Sequence, residues 1–156
     1  MRKEVISEAA GHAAAEGIAW LDIESKAKVQ VSSEEKEFPV EGALMEGDTR
    51  GWRAATAGKQ TIRMIFDKPQ KISRIWLVME DREKWRTQEF ILRWSPDQGE
   101  TFKEIVRQQW NFSPSAIRET EDYKVQLNGV TILELAILPD QNGGDARASV
   151  LQWRIA

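Results

Sequence analysis

The sequence contains no cysteine and a single histidine, His12, among its 156 residues. Without cysteine the chain can form neither disulfides nor thiolate metal sites, and it has no cysteine nucleophile. One histidine without cysteine cannot supply the usual ligands of a zinc ion. A nucleophile-elbow motif, a phosphate-binding loop and a dinucleotide-binding fingerprint are also missing. These absences predict a protein that is not an enzyme and needs no cofactor.

Long apolar runs and a strong net charge are missing as well. No apolar stretch is long enough to span a bilayer, and the amino-terminal residues lack the uninterrupted apolar run of a secretory signal. We therefore expect a cytoplasmic protein without a membrane partner. The formal net charge is −3, which gives no electrostatic reason to expect a nucleic-acid partner, although a local basic patch would still allow one.

After residue 26 the sequence shows short segments with the alternating pattern of β-strands, such as "QTIRMIF" and "ISRIWLVM". About eight such segments, with almost no helical pattern, predict an all-β fold: an eight-stranded antiparallel β-sandwich or jelly roll, residues 26–156. Residues 1–25 are rich in alanine and glutamate, and we interpret them as an N-terminal extension with a short, interrupted helix.

The predicted connections between strands alternate in length. Three are short, namely "DKPQK", "SPDQGE" and "NG", and the other four cover about residues 33–58, 81–87, 110–121 and 139–146. If successive strands are antiparallel, all four long connections lie at one end of the sandwich, where binding residues concentrate. The turn "SPDQGETF" then lies at the opposite end. Its Asp97 is expected to bond back to the backbone, and its Phe102 is expected to re-enter the core.

The segments "ALMEGDTRGW", "QTIRMIFDKPQKISRIWL" and "FILRWSPDQGETF" resemble, in order and spacing, the discoidin or F5/8 type C family of galactose-binding-like domains. The resemblance covers about residues 27–155. It implies a non-catalytic module of two packed sheets, whose relatives bind sugars, phospholipid surfaces or proteins through loops at one end. It also implies a structural calcium ion, with Glu46 and Asp48 as oxygen ligands. The imperfect match instead favours a surface turn with a local Asx-type hydrogen bond.

A second resemblance is confined to about residues 31–62, "VSSEEKEFPVEGALMEGDTRGWRAATAGKQTI". This segment is similar to the start of the amino-terminal domain of the eukaryotic scaffold protein of single-strand-break DNA repair. The resemblance implies the same sandwich fold, with a polymerase or nicked DNA as the partner.

Seven tryptophans are a high number for this length. Four of them are expected in or against the core, namely Trp52, Trp76, Trp94 and Trp153. Trp85 instead lies in a charged long connection, where its ring could stack on the apolar face of a sugar while planar polar groups bind the hydroxyls. We therefore predict a binding module for a carbohydrate or similar small polar ligand, contacted by Trp85, Arg86, Arg82, Asn111 and Arg118.

Two alternatives to this site remain open at the level of sequence. The arginines of the Trp85 connection could simply pair with neighbouring carboxylates in a solvated loop. The module could also be a protein-interaction or DNA-repair-type scaffold domain that uses the same end or a sheet face. A sugar site needs an exposed aromatic ring beside planar polar groups in a shallow concavity, whereas a scaffold surface needs a larger apolar patch.

Overall fold

The computed structural model describes residues 17–82 and 85–156, so His12 and most of the predicted N-terminal helix lie outside the described residues. Neither of the two helices in the described ranges is long and apolar enough to span a membrane. The elements in chain order are α1 (Ile23–Lys26), β1 (Ala27–Val31), α2 (Glu41–Leu44), β2 (Trp52–Arg53), β3 (Gln60–Glu80), β4 (Arg86–Ser95), β5 (Lys103–Phe112), β6 (Arg118–Leu138), β7 (Ser149–Val150) and β8 (Gln152–Ile155).

The frame of the fold is the antiparallel pair of β3 and β6, which are 21 residues long each. Their register runs from Gln60 opposite Ile137 to Glu80 opposite Arg118, with irregularities between Ile65 and Arg74. At these irregularities the pair bends from one layer of the sandwich into the other. The order of strands is β1-β3-β6-β4-β5, and β8 pairs with the second half of β3.

The bend replaces two turns that the sequence pattern predicts. "DKPQK" lies inside β3, and Asn128-Gly129 lies inside β6, so the expected tight hairpin at Asn128-Gly129 is wrong. Gly129 has a φ of 71°, in the left-handed region that glycine adopts without steric cost. The motif therefore bends a continuous strand rather than reversing the chain. Two strands of two residues each, β2 and β7, form the separate small sheet.

One hydrophobic core lies between the two layers. The layer with β1, β4 and β5 supplies core side chains such as Met64, Phe90 and Leu135, and the layer with β8 supplies Leu77 and Trp153. All five are 0% exposed. The inward residues of β3 are even-numbered before the bend and odd-numbered after it, which is how a bulge preserves one buried face in a bent strand. The predicted all-β antiparallel sandwich is confirmed.

The tryptophans predicted to be structural are buried or packed against the core. Trp52 and Trp153 are in the core, and Trp94 is half-buried against it. Trp76 is buried on the outer face of the second layer, where Trp20 from the segment before α1 packs on it. The main-chain nitrogen of Leu21 also donates to the Ile155 carbonyl oxygen at 2.8 Å, so this segment is attached to the sandwich.

The four long connections meet at one end of the sandwich, as the length pattern predicts. Backbone hydrogen bonds join Asp81 to Ile117, Gln141 to Thr87, and Ala54 to Ala148. The turn after β4 lies at the other end, where the Gln98 nitrogen donates to the Thr131 hydroxyl beside the bend of β6. The long-connection end therefore brings residues from distant parts of the chain together.

The turn "SPDQGETF" is held by Asp97, as predicted. Its carboxylate accepts hydrogen bonds from the Ser95 hydroxyl at 2.7 Å and from the backbone nitrogen and hydroxyl of Thr101 at 2.8 and 2.5 Å. The pKa of Asp97 is lowered, chiefly by the hydrogen bonds from Thr101. Phe102 does not re-enter the core: its ring lies 4.2 Å from the guanidinium carbon of Arg93 on the outer face of the sheet.

We expect Asp97→Ala to lower the midpoint of thermal unfolding and to leave ligand affinity unchanged, because Asp97 holds a turn far from the long connections. Since its folded pKa is lowered, the stability that Asp97 contributes is present above its unfolded pKa and is lost as pH falls through the folded pKa. Thermal scans at several pH values measure this effect. Glu100→Ala, an exposed change in the same turn, is the control. A folded Asp97→Ala protein with weakened ligand binding would show that the ligand-binding end is wrongly assigned.

Candidate functional site

A cavity of about 600 Å³ opens at the long-connection end of the sandwich. Its walls come from the connection between β1 and β2, the end of β3 with the connection that follows it, and the segment around β7. The lining residues are Glu35, Phe38, Arg50, Gly51, Trp52, Arg53, Glu80, Asp81, Arg82, Arg86, Asp145, Ala146, Arg147, Ser149, Val150 and Leu151.

The small β2-β7 sheet sets the floor of the cavity. Trp52 is opposite Val150 and Arg53 is opposite Ser149. Trp52 is buried, and its indole nitrogen donates to the Ser33 carbonyl oxygen at 3.0 Å. Because successive side chains of a strand point to opposite faces, the burial of Trp52 directs Arg53 outward to the cavity.

A close approach of two glycines holds the connection between β1 and β2 in place. The Gly51 nitrogen donates to the Gly42 carbonyl oxygen at 3.1 Å. A Cβ atom at Gly42 would collide with the backbone of Gly51, so only glycine allows α2 to pack this tightly beside β2. The path of the chain into Trp52 and Arg53 therefore depends on Gly42.

The cavity is lined by five arginines and four carboxylates. Four of the arginines form ion pairs, namely Arg50 with Asp48, Arg82 with Glu80, Arg86 with Asp81, and Arg147 with Glu35. Arg53 forms none: its guanidinium lies 5.4 Å from the centre of the Phe38 ring and has no hydrogen-bond acceptor in the described residues. The lining is thus mostly neutralised, with one unpaired cation.

Arg86, one of the predicted contact residues, is buried and organises the loops. Its guanidinium donates to Asp81 at 2.7 Å, to Gln88 at 3.0 Å and to the Pro139 carbonyl oxygen at 2.7 Å. It also lies 4.4 Å from the centre of the Phe112 ring. Three long connections therefore contact this one side chain. For Arg86, this agrees with the alternative from the sequence analysis in which the arginines pair with neighbouring groups.

Trp85 is the most exposed large apolar side chain of the described residues, with 76% of its surface accessible. It immediately precedes Arg86. Arg82 is exposed and shares the Glu80 carboxylate with Arg118, whose Nη2 lies 3.1 Å from that carboxylate. The structure therefore places these two predicted arginines on one carboxylate, with Arg82 in the cavity lining and Arg118 outside it.

Asn111 lies away from these residues. It is on β5, opposite Thr87, and its side-chain oxygen accepts a hydrogen bond from the Thr87 hydroxyl at 2.8 Å. Neither Asn111 nor Trp85 lines the cavity. The predicted contact residues thus divide into Arg82 and Arg86 in the wall, Arg118 behind Glu80, and Trp85 and Asn111 outside the lining.

Several lining residues were not predicted from the sequence, including Phe38, Arg53, Arg147 and Ser149. The alternation around Trp52 was a usable signal for Arg53, because a strand that buries Trp52 must expose its neighbour. No signal in the sequence pairs Glu35 with Arg147, which are 112 positions apart.

Of the two residues expected to ligate calcium, Asp48 is paired with Arg50, and Glu46 lies near the positive charge of Arg154. Hydrogen bonds from the side chain and backbone of Arg50 lower the pKa of Asp48 to about 2. The buried guanidinium of Arg154 donates to the carbonyl oxygens of Ala43 and Met45, in the segment that would surround the ion. A cation already satisfies these carbonyls, and its charge would repel calcium. The described residues also contain no group of three or more His, Cys, Asp or Glu side chains arranged to hold a metal ion. The site does not fit calcium.

We expect calcium and a chelator to leave the thermal midpoint unchanged, whereas Arg154→Met lowers stability. That substitution leaves two carbonyls without their donor, and each unsatisfied buried group costs about 1–3 kcal/mol. Denaturant unfolding with and without calcium measures both effects. Arg154→Lys keeps the charge and should be intermediate. A rise of several degrees on adding calcium to the wild-type protein would contradict the assignment.

The buried carboxyl group of Glu119 lies near Arg86, because both side chains contact Gln88. Glu119 is 1% exposed, accepts a hydrogen bond from Gln88 at 3.2 Å, and has one oxygen without a partner. Burial, followed by the neighbouring Glu121, raises the pKa of Glu119 to about 8. Burial also raises the pKa of Tyr123, two residues beyond Glu121. Glu119 is therefore protonated at neutral pH in the folded protein.

The raised pKa of Glu119 predicts that stability falls as pH rises from the unfolded pKa to about 8. Its folded pKa exceeds its unfolded value, so the folded state binds the extra proton. The corresponding stability is present below the unfolded pKa and is lost as pH rises through about 8. Glu119→Gln should flatten the fall in unfolding free energy between the unfolded pKa and about pH 8, measured by urea titration. Glu121→Gln, which removes the like charge, should flatten it less. An unchanged slope in Glu119→Gln would refute the buried protonated carboxyl.

Comparison with solved structures identifies proteins with the same fold. No protein-family model matches the chain, and no curated protein matches it in sequence. Among solved structures, a pectin-binding carbohydrate-binding module has a TM-score of 0.59 at 18% identity, over 82% of this chain and 88% of that chain. The family 32 carbohydrate-binding module of NanJ from Clostridium perfringens, solved with galactose, has a TM-score of 0.58 at 15% identity, over 83% and 92%.

The module CBM32-3 from a family 31 glycoside hydrolase of Clostridium perfringens has a TM-score of 0.64 at 15% identity, over 87% of this chain and 93% of that chain. At this low identity the likeness shows the fold. The chain shares the β-sandwich fold of these modules, which agrees with the fold that its resemblance to discoidin domains implies.

Proposed function

We propose that this protein is a non-catalytic module that binds a carbohydrate through the long connections at one end of its sandwich. The observation that carries the proposal is the exposed Trp85 beside a concave, arginine-rich cavity. Structural neighbours support it because they are described as carbohydrate-binding modules, one of them solved with galactose and one described as pectin-binding.

The chemistry of this end suits a sugar. The flat apolar ring of Trp85 can cover the CH face of a pyranose ring, and an exposed ring loses little by being covered. Arg82 supplies planar donors on a mostly exposed side chain, and Ser149 supplies a hydroxyl in the lining. Arg86 and Asn111, although predicted as contacts, contribute by holding the connections in position.

The scaffold alternative is less well supported. Among the described residues only Trp85 and Leu138 are exposed large hydrophobic side chains, which is less than the extended apolar patch that a protein interface needs. Four carboxylates in the cavity wall disfavour the phosphates of DNA.

Trp85→Ala should weaken glycan binding about tenfold or more, because a stacked aromatic ring contributes on the order of 1 kcal/mol beyond the area it buries. The change should leave the thermal midpoint intact, since the side chain is exposed. Binding is measured by calorimetry with the best ligand from a glycan array that includes galactose-containing and pectin-type saccharides.

Leu138→Ala is the matched control for Trp85→Ala, because it truncates the other exposed large hydrophobic side chain. It should bind glycans as the wild type does. Equal binding by Trp85→Ala and the wild type would remove Trp85 from the site. An array without any bound glycan would refute the proposed function.

A further inference from the structure

We propose that the cavity selects saccharides that carry a carboxylate, and that Arg53 is the residue that binds this group. The inference rests on the proposed function and specifies its ligand class as acidic sugars of the uronate type. It follows from the ion pairs of the cavity wall and from the one guanidinium there that has no acceptor in the described part of the chain.

Arg53 stands apart from the other arginines of the described residues. Nine of these eleven arginines form an ion pair with a carboxylate. The tenth, Arg154, donates to backbone carbonyls. Among the described residues only the Arg53 guanidinium has no hydrogen bond or ion pair, and it is exposed at the cavity. Its donors are available for a ligand.

The groups around Arg53 fix its position but do not neutralise its charge. The guanidinium lies over the Phe38 ring, which attracts a cation but accepts no hydrogen bond in the guanidinium plane. Its backbone is fixed on both sides, because its nitrogen donates to the Phe38 carbonyl oxygen at 3.1 Å and its carbonyl oxygen accepts from Glu35 at 2.9 Å. The carboxylate of Glu35, the residue whose backbone nitrogen bonds to Arg53, is paired with Arg147 at 2.8 Å.

This arrangement matches a carboxylate better than other groups. The planar guanidinium fork binds a carboxylate through two parallel hydrogen bonds, which are charge-assisted and stronger than those to a neutral hydroxyl. Four of the five lining arginines are already paired with carboxylates, so Arg53 is the arginine of the lining whose donors a ligand can take. One guanidinium suits one carboxylate in the cavity, whereas a polyphosphate backbone would also meet the acidic groups of the wall.

The experiment measures calorimetric affinities for three probes: a galacturonic acid trimer, its fully methyl-esterified form and a neutral galactose trimer. The ester removes the charge and leaves the sugar ring in place. The wild-type protein should bind the acid at least tenfold more tightly than the ester. Arg53→Gln should bind acid and ester equally, and Arg53→Lys should keep part of the preference. Arg107→Gln removes an exposed arginine outside the cavity lining and should behave as the wild type.

Equal wild-type affinities for acid and ester would overturn the inference and leave carbohydrate binding standing. A folded Arg53→Gln protein that keeps the preference would also overturn it. If Arg53→Gln fails to fold, the acid-ester comparison on the wild type still decides. Loss of all three ligands in the wild type would refute the proposed function as well. Binding of nicked duplex DNA that falls steeply with salt and depends on Arg53 would assign the guanidinium to phosphate instead.

Discussion

The antiparallel pairing of β3 with β6 is the constraint on which the rest of the structure depends. The pair begins in one layer, bends at Gln70 and Val130, and ends in the other layer. The other strands of the six-stranded sheet attach to it: β1 and β8 to β3, and β4 to β6 with β5 beyond. Both layers are therefore aligned by one register, and the burial of one face along two bent strands decides which side chains meet in the core.

The same pairing decides where the connections go. Because the bend occupies one end, the free ends of β3 and β6 lie at the other, and every long connection begins or ends there. The interactions of Arg86 then hold these connections against each other, since a buried guanidinium must find acceptors for its donors. A rigid connection cluster around Arg86 leaves the cavity between β2, β7 and the end of β3, with Trp85 exposed beside it.

Patterns that depend on local spacing were predictable. Alternation identified the inward faces of "QTIRMIF" and "ISRIWLVM", and the lengths of the connections identified the end where they cluster. The Asn128-Gly129 motif was wrongly predicted to form a hairpin turn, because a glycine with positive φ occurs in β-bulges as well as in hairpin turns. Only the partner strand distinguishes the two, and it lies about sixty residues earlier in the chain. The core position predicted for Phe102 is wrong for a similar reason. Its ring packs against Arg63 and Arg93, and these two arginines are brought together by their shared ion pair with Glu134.

The charges of the cavity show why a site of this kind resists prediction from sequence. Each guanidinium is available or committed according to whether a carboxylate reaches it, and those carboxylates come from other parts of the fold, as Glu35 does for Arg147. Trp85 was identifiable because exposure of a tryptophan in a charged connection is a local property. Alternation around Trp52 indicates that Arg53 is exposed, but the availability of its guanidinium depends on pairings across the fold, such as that of Glu35 with Arg147, which the sequence does not show. Specificity in such a site is determined by the acceptors that the fold assigns elsewhere, so a single new carboxylate beside Arg53 would cancel it without changing the fold.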